Sequence, residues 1–240
     1  MPRLDALVTK AGLAPSRERA QALILAGKVK VAGETVRKPD RAVTEGTPIA
    51  VDSDPEYASR GAYKLGPALD RFNVAVDGRV CADIGASTGG FTDVLLRRGA
   101  ARVYAIDVGR GLLHWRLRQD PRVVVIERVN ARNLDAFPEA VGLVVIDVSF
   151  IGLEKVLPAV TAAAPGAEVV ALFKPQFQVE RGQVGKGGIV RDQTAIDPAL
   201  QRFREWCAAH SLRVIAEAPS ELAGSDGNRE IFVHLAQEPR

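Results

Sequence analysis

From Leu4 the apolar positions Leu4, Leu7, Val8 and Ala11 recur at helical spacing until Gly12 stops them. Ser16, after Pro15, can cap a second helix whose apolar face is Ala20, Leu23 and Ile24 and whose end is Gly27. Val29 and Val31, a turn at Ala32-Gly33-Glu34, Val36 and Ile49-Ala50-Val51 then read as short strands. Residues 1–51 therefore predict a compact α+β unit. Asp52 to Ser59, with Pro55 inside it, has neither periodicity nor much apolar content and reads as a linker.

Beyond Arg60 a helix runs toward Phe72, and then the pattern changes. Val80-Cys81-Ala82, Val103 to Ile106, Val123 to Ile126, Leu143 to Ile146 and Glu168 to Phe173 are unbroken apolar runs, as expected of parallel strands buried on both faces. Stretches at helical spacing, such as Phe91, Val94 and Leu95, alternate with them, so residues 60–240 predict a Rossmann-like, doubly wound α/β sheet. Asp197 can cap, and Pro198 begin, a helix presenting Leu200, Phe203 and Cys207. Two last runs, Leu212 to Ala218 and Ile231 to Leu235, predict an antiparallel hairpin at the sheet edge.

Each unbroken run is followed by a polar residue, and that is where the chemistry gathers. Asp83-Ile84-Gly85-Ala86-Ser87-Thr88-Gly89-Gly90-Phe91 has the order strand, glycine-rich turn, helix, and its glycines would let the backbone pass close under a ligand. Asp107 closes the next run, where a carboxylate can accept hydrogen bonds from ribose hydroxyls, so the expected ligand carries a nucleoside. Asp83 would oppose a pyrophosphate but suits an ammonium group, which favours S-adenosyl-L-methionine. Its expected contacts are Asp83, Gly85, Ser87, Gly89, Gly90, Phe91, Asp107, Asp147 and the amide of Asn130, which could meet an adenine edge. Asp147 and Lys174 end the fourth and fifth runs, so Asp83, Asp107, Asp147 and Lys174 should converge on one rim. The loop Gln183 to Gly188 has room to cover a site, and Glu230 stands just before the last run.

Composition narrows the classes. With 240 residues, 47% of them hydrophobic, the chain can bury one substantial core beside a small second domain. No apolar run approaches the ~20 residues of a membrane span, so a soluble cytoplasmic protein is expected. Cys81 and Cys207 match no metal-ligand spacing and read as buried, reduced thiols. The net charge of +3 is uneven, since residues 1–51 hold nine Lys and Arg against five Asp and Glu. Arg3, Arg17, Arg19, Lys28, Lys30, Arg37 and Lys38 decorate that unit. Arg17 and Arg19 oppose the dipole of their helix, which suggests an anionic partner rather than stability.

The order Arg3-Leu4-Asp5, Ser16-Arg17 with Ala20, then Gly27-Lys28-Val29-Lys30-Val31-Ala32-Gly33 resembles the S4 RNA-binding domain. That resemblance implies that Arg3, Arg17, Arg19, Lys28, Lys30 and Lys38, with Arg60 beyond the linker, face structured RNA. From Arg60 onward, Lys64, Asp147, Lys174 and Glu230 resemble the Lys-Asp-Lys-Glu tetrad of the FtsJ-like ribose 2′-O-methyltransferases. An S4 domain ahead of such a domain, with Ser59 to Leu65, Asp147 to Ile151 and Phe173 to Phe177, is identified as the pattern of the TlyA family. Asn130 stands where FtsJ-like enzymes often carry aspartate, and Ser87-Thr88 where they usually have Ala-Pro. The resemblance implies methyl transfer to a cytidine ribose in large-subunit rRNA, some members also modifying the small subunit. The short run ahead of the first helix is similar to the type that acts on the large subunit alone. Lys174 is the expected base, Lys64 would steady the developing alkoxide, and Asp147 and Glu230 would orient them. Two lysines brought together would disfavour each other's charged form. Two other readings stand beside this one. The family's older hemolysin name implies a membrane-active protein, and a broken tetrad would leave an RNA-binding protein without activity.

Overall fold

The computed structural model describes residues 1–51, 57–179, 181–190, 192–224 and 226–238, with only the backbone of Arg181 and Gln193. Most of the expected linker, residues 52–56, lies outside the described residues. Two compact units separate, Met1–Glu56 and Tyr57–Arg240.

In the first unit, α1 (Leu4–Lys10) and α2 (Arg17–Leu25) precede a sheet of β1 (Val29–Val31), β2 (Glu34–Val36) and β3 (Ile49–Val51) in the order β2-β1-β3, antiparallel throughout. Ser16 caps α2 as its position predicts, accepting the Arg19 N–H at 3.2 Å. Leu4, Val8, Ala20, Ile24 and Val29 are buried together. A charged residue, Asp5, is also wholly buried in this unit.

The second unit runs α3 (Ala62–Phe72), β4 (Val80–Ile84), α4 (Gly90–Arg97), β5 (Arg102–Asp107), α5 (Trp115–Arg118), β6 (Val123–Glu127), β7 (Leu143–Ile146), α6 (Leu157–Ala163), β8 (Glu168–Phe173), α7 (Gln193–Ala209), β9 (Leu212–Pro219) and β10 (Ile231–Gln237). Its seven strands lie in the order β6-β5-β4-β7-β8-β10-β9. β4 to β8 are parallel, and β10 inserts antiparallel between β8 and β9, so the hairpin does join the edge. Successive side chains alternate faces: Ala82, Val144 and Ile146 enter the core under α6 and α7, while Cys81, Leu143 and Val145 enter the core under α3 and α4. That double burial is why the runs are unbroken. The strand order reverses between β4 and β7, and in such sheets ligands bind at the carboxyl ends beside the reversal.

Two expectations need correction. β4 does not stop at Ala82 but continues to Ile84, because Asp83 and Ile84 find ladder partners in both β5 and β7. α7 begins at Gln193, a turn before Asp197. Asp192 is the cap, its Oδ1 accepting the Thr194 N–H at 2.9 Å and hydroxyl at 2.6 Å. Pro198 lies inside the helix, where the burial of Ala195, Ile196, Ala199 and Leu200 offsets the missing N–H.

Candidate functional site

The glycine turn follows β4 at the reversal, and its glycines are closely approached by other parts of the unit. Gly85 has φ +85°, and a Cβ there would collide with the Asp147 carbonyl where β7 ends. Gly89 has φ +96°, and a Cβ would strike Leu117 and Leu113; at Gly90 it would strike the Ser59 hydroxyl. A Cβ at any of the three would meet protein first, and Gly85 and Gly90 line the cleft beside the turn.

One part of the cleft, a cavity of about 620 Å³, is lined by Gly85, Ser87, Asp107, Val108, Leu112, Asn130 and Asp147. The Asp107 carboxylate accepts the Ser87 N–H at 2.8 Å and the Gly109 N–H at 2.7 Å, which holds Ser87 at φ +49° and leaves lone pairs facing the cavity. Asn130 caps the short turn Ala131–Asn133 by accepting the Arg132 N–H at 3.1 Å, so its NH₂ remains to donate. Val108 and Leu112, 70% and 46% exposed, give this wall an apolar surface suited to a heterocycle. Asp83 is not on the wall. It lies inside β4, wholly buried, accepts the Thr92 hydroxyl at 2.6 Å, and has an Oδ1 without a partner. Burial pushes its carboxyl up to about 7, and the nearby Asp147 and Asp107 add to the shift against the Thr92 bond.

The adjoining cavity, about 580 Å³, shares Gly85, Ser87 and Asp147 with the first and is lined also by Phe91, Arg60, Lys64, Lys174 and Glu230. All four tetrad residues therefore meet, although they come from α3, the ends of β7 and β8, and the start of β10. They meet as two pairs: Lys64 Nζ lies 2.6 Å from Glu230 Oε2, and Lys174 Nζ lies 2.6 Å from Asp147 Oδ1. Each ammonium is thus held by its own carboxylate, which replaces the expected confrontation of two lysines. Lys174 also donates to Ser149 Oγ at 2.9 Å.

Ser149 and Phe150 went unassigned in the sequence. Phe150 sits at φ +66°, a costly conformation for a bulky residue, with its side chain 91% exposed and its ring centroid 5.4 Å from that of Phe177. It thus presents an exposed aromatic face on the wall of the first cavity. The available signal was its place in the Asp147 to Ile151 stretch that the family resemblance rests on. The loop Gln183 to Gly188 lines neither cavity. The buried Asn228 fastens the end of it, accepting the Val190 N–H and donating to the Gly188 carbonyl, both at 2.9 Å.

In the first unit Arg19 and Lys38 are exposed and Lys28 and Lys30 half-buried. Arg3 and Arg17 both grip Asp5, at 3.0 and 3.2 Å. Arg17 is therefore compensated at its helix start by a buried carboxylate, a structural role the dipole argument had not foreseen.

Residues 57–237 match the FtsJ-like methyltransferase family and residues 2–49 the S4 domain. The chain is 51% identical, over 97% of its length and 89% of the relative's, to the 16S/23S rRNA (cytidine-2'-O)-methyltransferase TlyA of Mycobacterium tuberculosis. It is 40% identical, over 97% of its length and 99% of the relative's, to Hemolysin A of Brachyspira hyodysenteriae. A solved structure from Streptococcus thermophilus, named as a hemolysin, matches with TM-score 0.74 and 40% identity over 98% of this chain and 88% of that one. The chain belongs to the FtsJ-like methyltransferases, to the TlyA branch in which an S4 domain stands ahead of the methyltransferase domain.

Proposed function

We propose that the chain is an S-adenosyl-L-methionine-dependent rRNA methyltransferase that acts on the 2′-hydroxyl of a cytidine, with large-subunit rRNA as substrate and the ribosome's cytoplasm as its place of work. The observation that carries this reading is the meeting of Lys64, Asp147, Lys174 and Glu230 on the wall of one cavity that shares Gly85, Ser87 and Asp147 with the neighbouring one.

The residues present fit the cofactor. Asp107 would offer acceptors to ribose hydroxyls, Val108 and Leu112 would flank a flat ring, and the Asn130 NH₂ would meet its edge. When bound, S-adenosyl-L-methionine supplies an electrophilic methyl group. The chain must then remove a proton from a weak nucleophile and hold it in line. Lys174 Nζ, once deprotonated, takes the 2′-hydroxyl proton, with Asp147 and Ser149 fixing its direction. Lys64, anchored by Glu230, places a positive charge beside the developing alkoxide.

Among the described residues no helix is long and apolar enough to cross a membrane, and all four tetrad residues line one cavity. Incubation with methyl-labelled S-adenosyl-L-methionine and separated ribosomal subunits, followed by nucleoside mapping, tests the proposal. Label on a cytidine ribose of the large subunit is expected. Label on a base, or none on either subunit, would overturn it.

A further inference from the structure

Asp5 is the only charged residue wholly buried among the described residues of the S4 unit, and its surroundings are unusual for an ion pair. Its Oδ1 accepts from Arg3 Nε at 3.2 Å, Arg17 Nη2 at 3.3 Å and the Ala6 N–H at 2.8 Å. Its Oδ2 accepts from Arg3 Nη2 at 3.0 Å and Gln21 Nε2 at 2.8 Å, with Arg17 Nε at 3.2 Å. Both guanidinium forks thus close on one carboxylate, which is saturated. The two arginine side chains nevertheless remain 48% and 52% exposed, while the carboxylate is not exposed at all.

Stability alone does not require this arrangement. One arginine would neutralise the buried charge, and the second leaves a surplus positive charge held rigidly at the surface. Both arginines are also anchored through the backbone. Arg3 bridges to Ala42, and Arg17 opens α2 directly after the Ser16 cap. Each guanidinium carries N–H groups beyond those bonded to Asp5, on half-exposed side chains and in the planar fork that matches phosphate oxygens. We propose that Asp5 is a positioning residue for RNA, locking Arg3 and Arg17 into a preformed clamp of two guanidinium groups that grips backbone phosphates of an rRNA helix. The inference rests on the rRNA-binding reading above and extends it to a residue that touches no RNA. Arg3, first among its partners, keeps the Asp5 carboxyl well below the usual carboxylate range, so the clamp stays assembled at any physiological pH.

The test exploits opposite signs. Asp5→Asn adds one positive charge to the chain. If charge alone attracted RNA, affinity would rise and the salt slope would steepen. The clamp predicts instead that affinity of the full chain for unmodified large ribosomal subunits falls roughly tenfold, with the salt slope no steeper than in the wild type. Since Asp5→Asn could unfold the small unit, Arg17→Lys and Arg3→Lys form the second arm. They keep the charge but lose the fork, so affinity should fall about fivefold to tenfold each, with unchanged circular dichroism. Lysine variants binding like wild type, or a folded Asp5→Asn binding more tightly, would overturn the clamp and leave rRNA binding standing. Wild-type protein that bound the subunits without any salt dependence would instead remove the parent reading.

Discussion

The two ends of the seven-stranded sheet carry the same kind of chemistry to opposite effect. At the amino end Arg79 Nη1 meets Glu168 Oε2 at 2.6 Å, and His234 Nε2 meets Glu168 Oε1 at 2.6 Å with its ring 5.4 Å from Phe72. Arg79 also donates to the carbonyls of Ala75 and Gly142, so this cluster ties β10, β8 and the approach to β4 and β7 into one rim. At the carboxyl end the pairs Lys64–Glu230 and Lys174–Asp147 are as short, yet they border open cavities, with Ser87 and Phe150 nearby at positive φ. The carboxyl-end pairs line cavities, whereas the Arg79–Glu168 pair, although 27% and 28% exposed, lines neither of them and joins strands.

The largest expected effect breaks the carboxyl rim alone. Lys174→Ala should reduce kcat by ~10²–10⁴-fold or more while calorimetry still shows cofactor binding and unfolding is little changed. Lys174→Arg keeps the charge but cannot act as a base, so it should be similarly slow. Near-normal methylation by either would mean that Lys174 is a fastener too.

Asp83 sharpens the boundary between the ends. Its carboxyl is raised from 3.8 to about 7 by burial. Between those values the unfolded chain ionises while the native one stays protonated, so stability is fully present below pH 4 and is lost as pH rises through 7. The loss is on the order of 4 kcal/mol. Asp83→Asn should flatten that slope in urea titrations at stepped pH, and an unchanged slope would place the titration elsewhere.

At the amino end the prediction reverses. Glu168→Gln should cost about 1–2 kcal/mol, because Arg79 and His234 lose a partly buried partner, and should leave kcat/KM for ribosomal subunits unaltered. The smallest effect has mixed sign. Phe150→Gly should relieve the left-handed strain and raise stability by about 1 kcal/mol, while raising KM for RNA through the lost aromatic face. A variant unchanged in KM would show that the ring has no partner.

Much of this was legible beforehand, unevenly. Leu143 to Ile146 read as a buried strand because four consecutive apolar side chains fit only a position covered on both faces. Ser16 read as a cap because its hydroxyl acts on a neighbour three residues on. The errors arose where distant parts supply the partner. Asp83 joined β4 through ladders to β5 and β7, and α7 started early because Ala195 and Ile196 found a core. Asp5 was named in the sequence only within Arg3-Leu4-Asp5, with no role of its own.

The sequence by itself determined the alternation of strands and helices and the placing of Asp107, Asp147 and Lys174 at their strand ends, since those depend on neighbours a few residues apart. Only the tertiary structure decided which amine holds which carboxylate. Lys64 and Glu230 stand 166 residues apart, and they meet because β10 slots between β8 and β9. No local periodicity encodes that choice. It follows from how the whole chain closes its two cores.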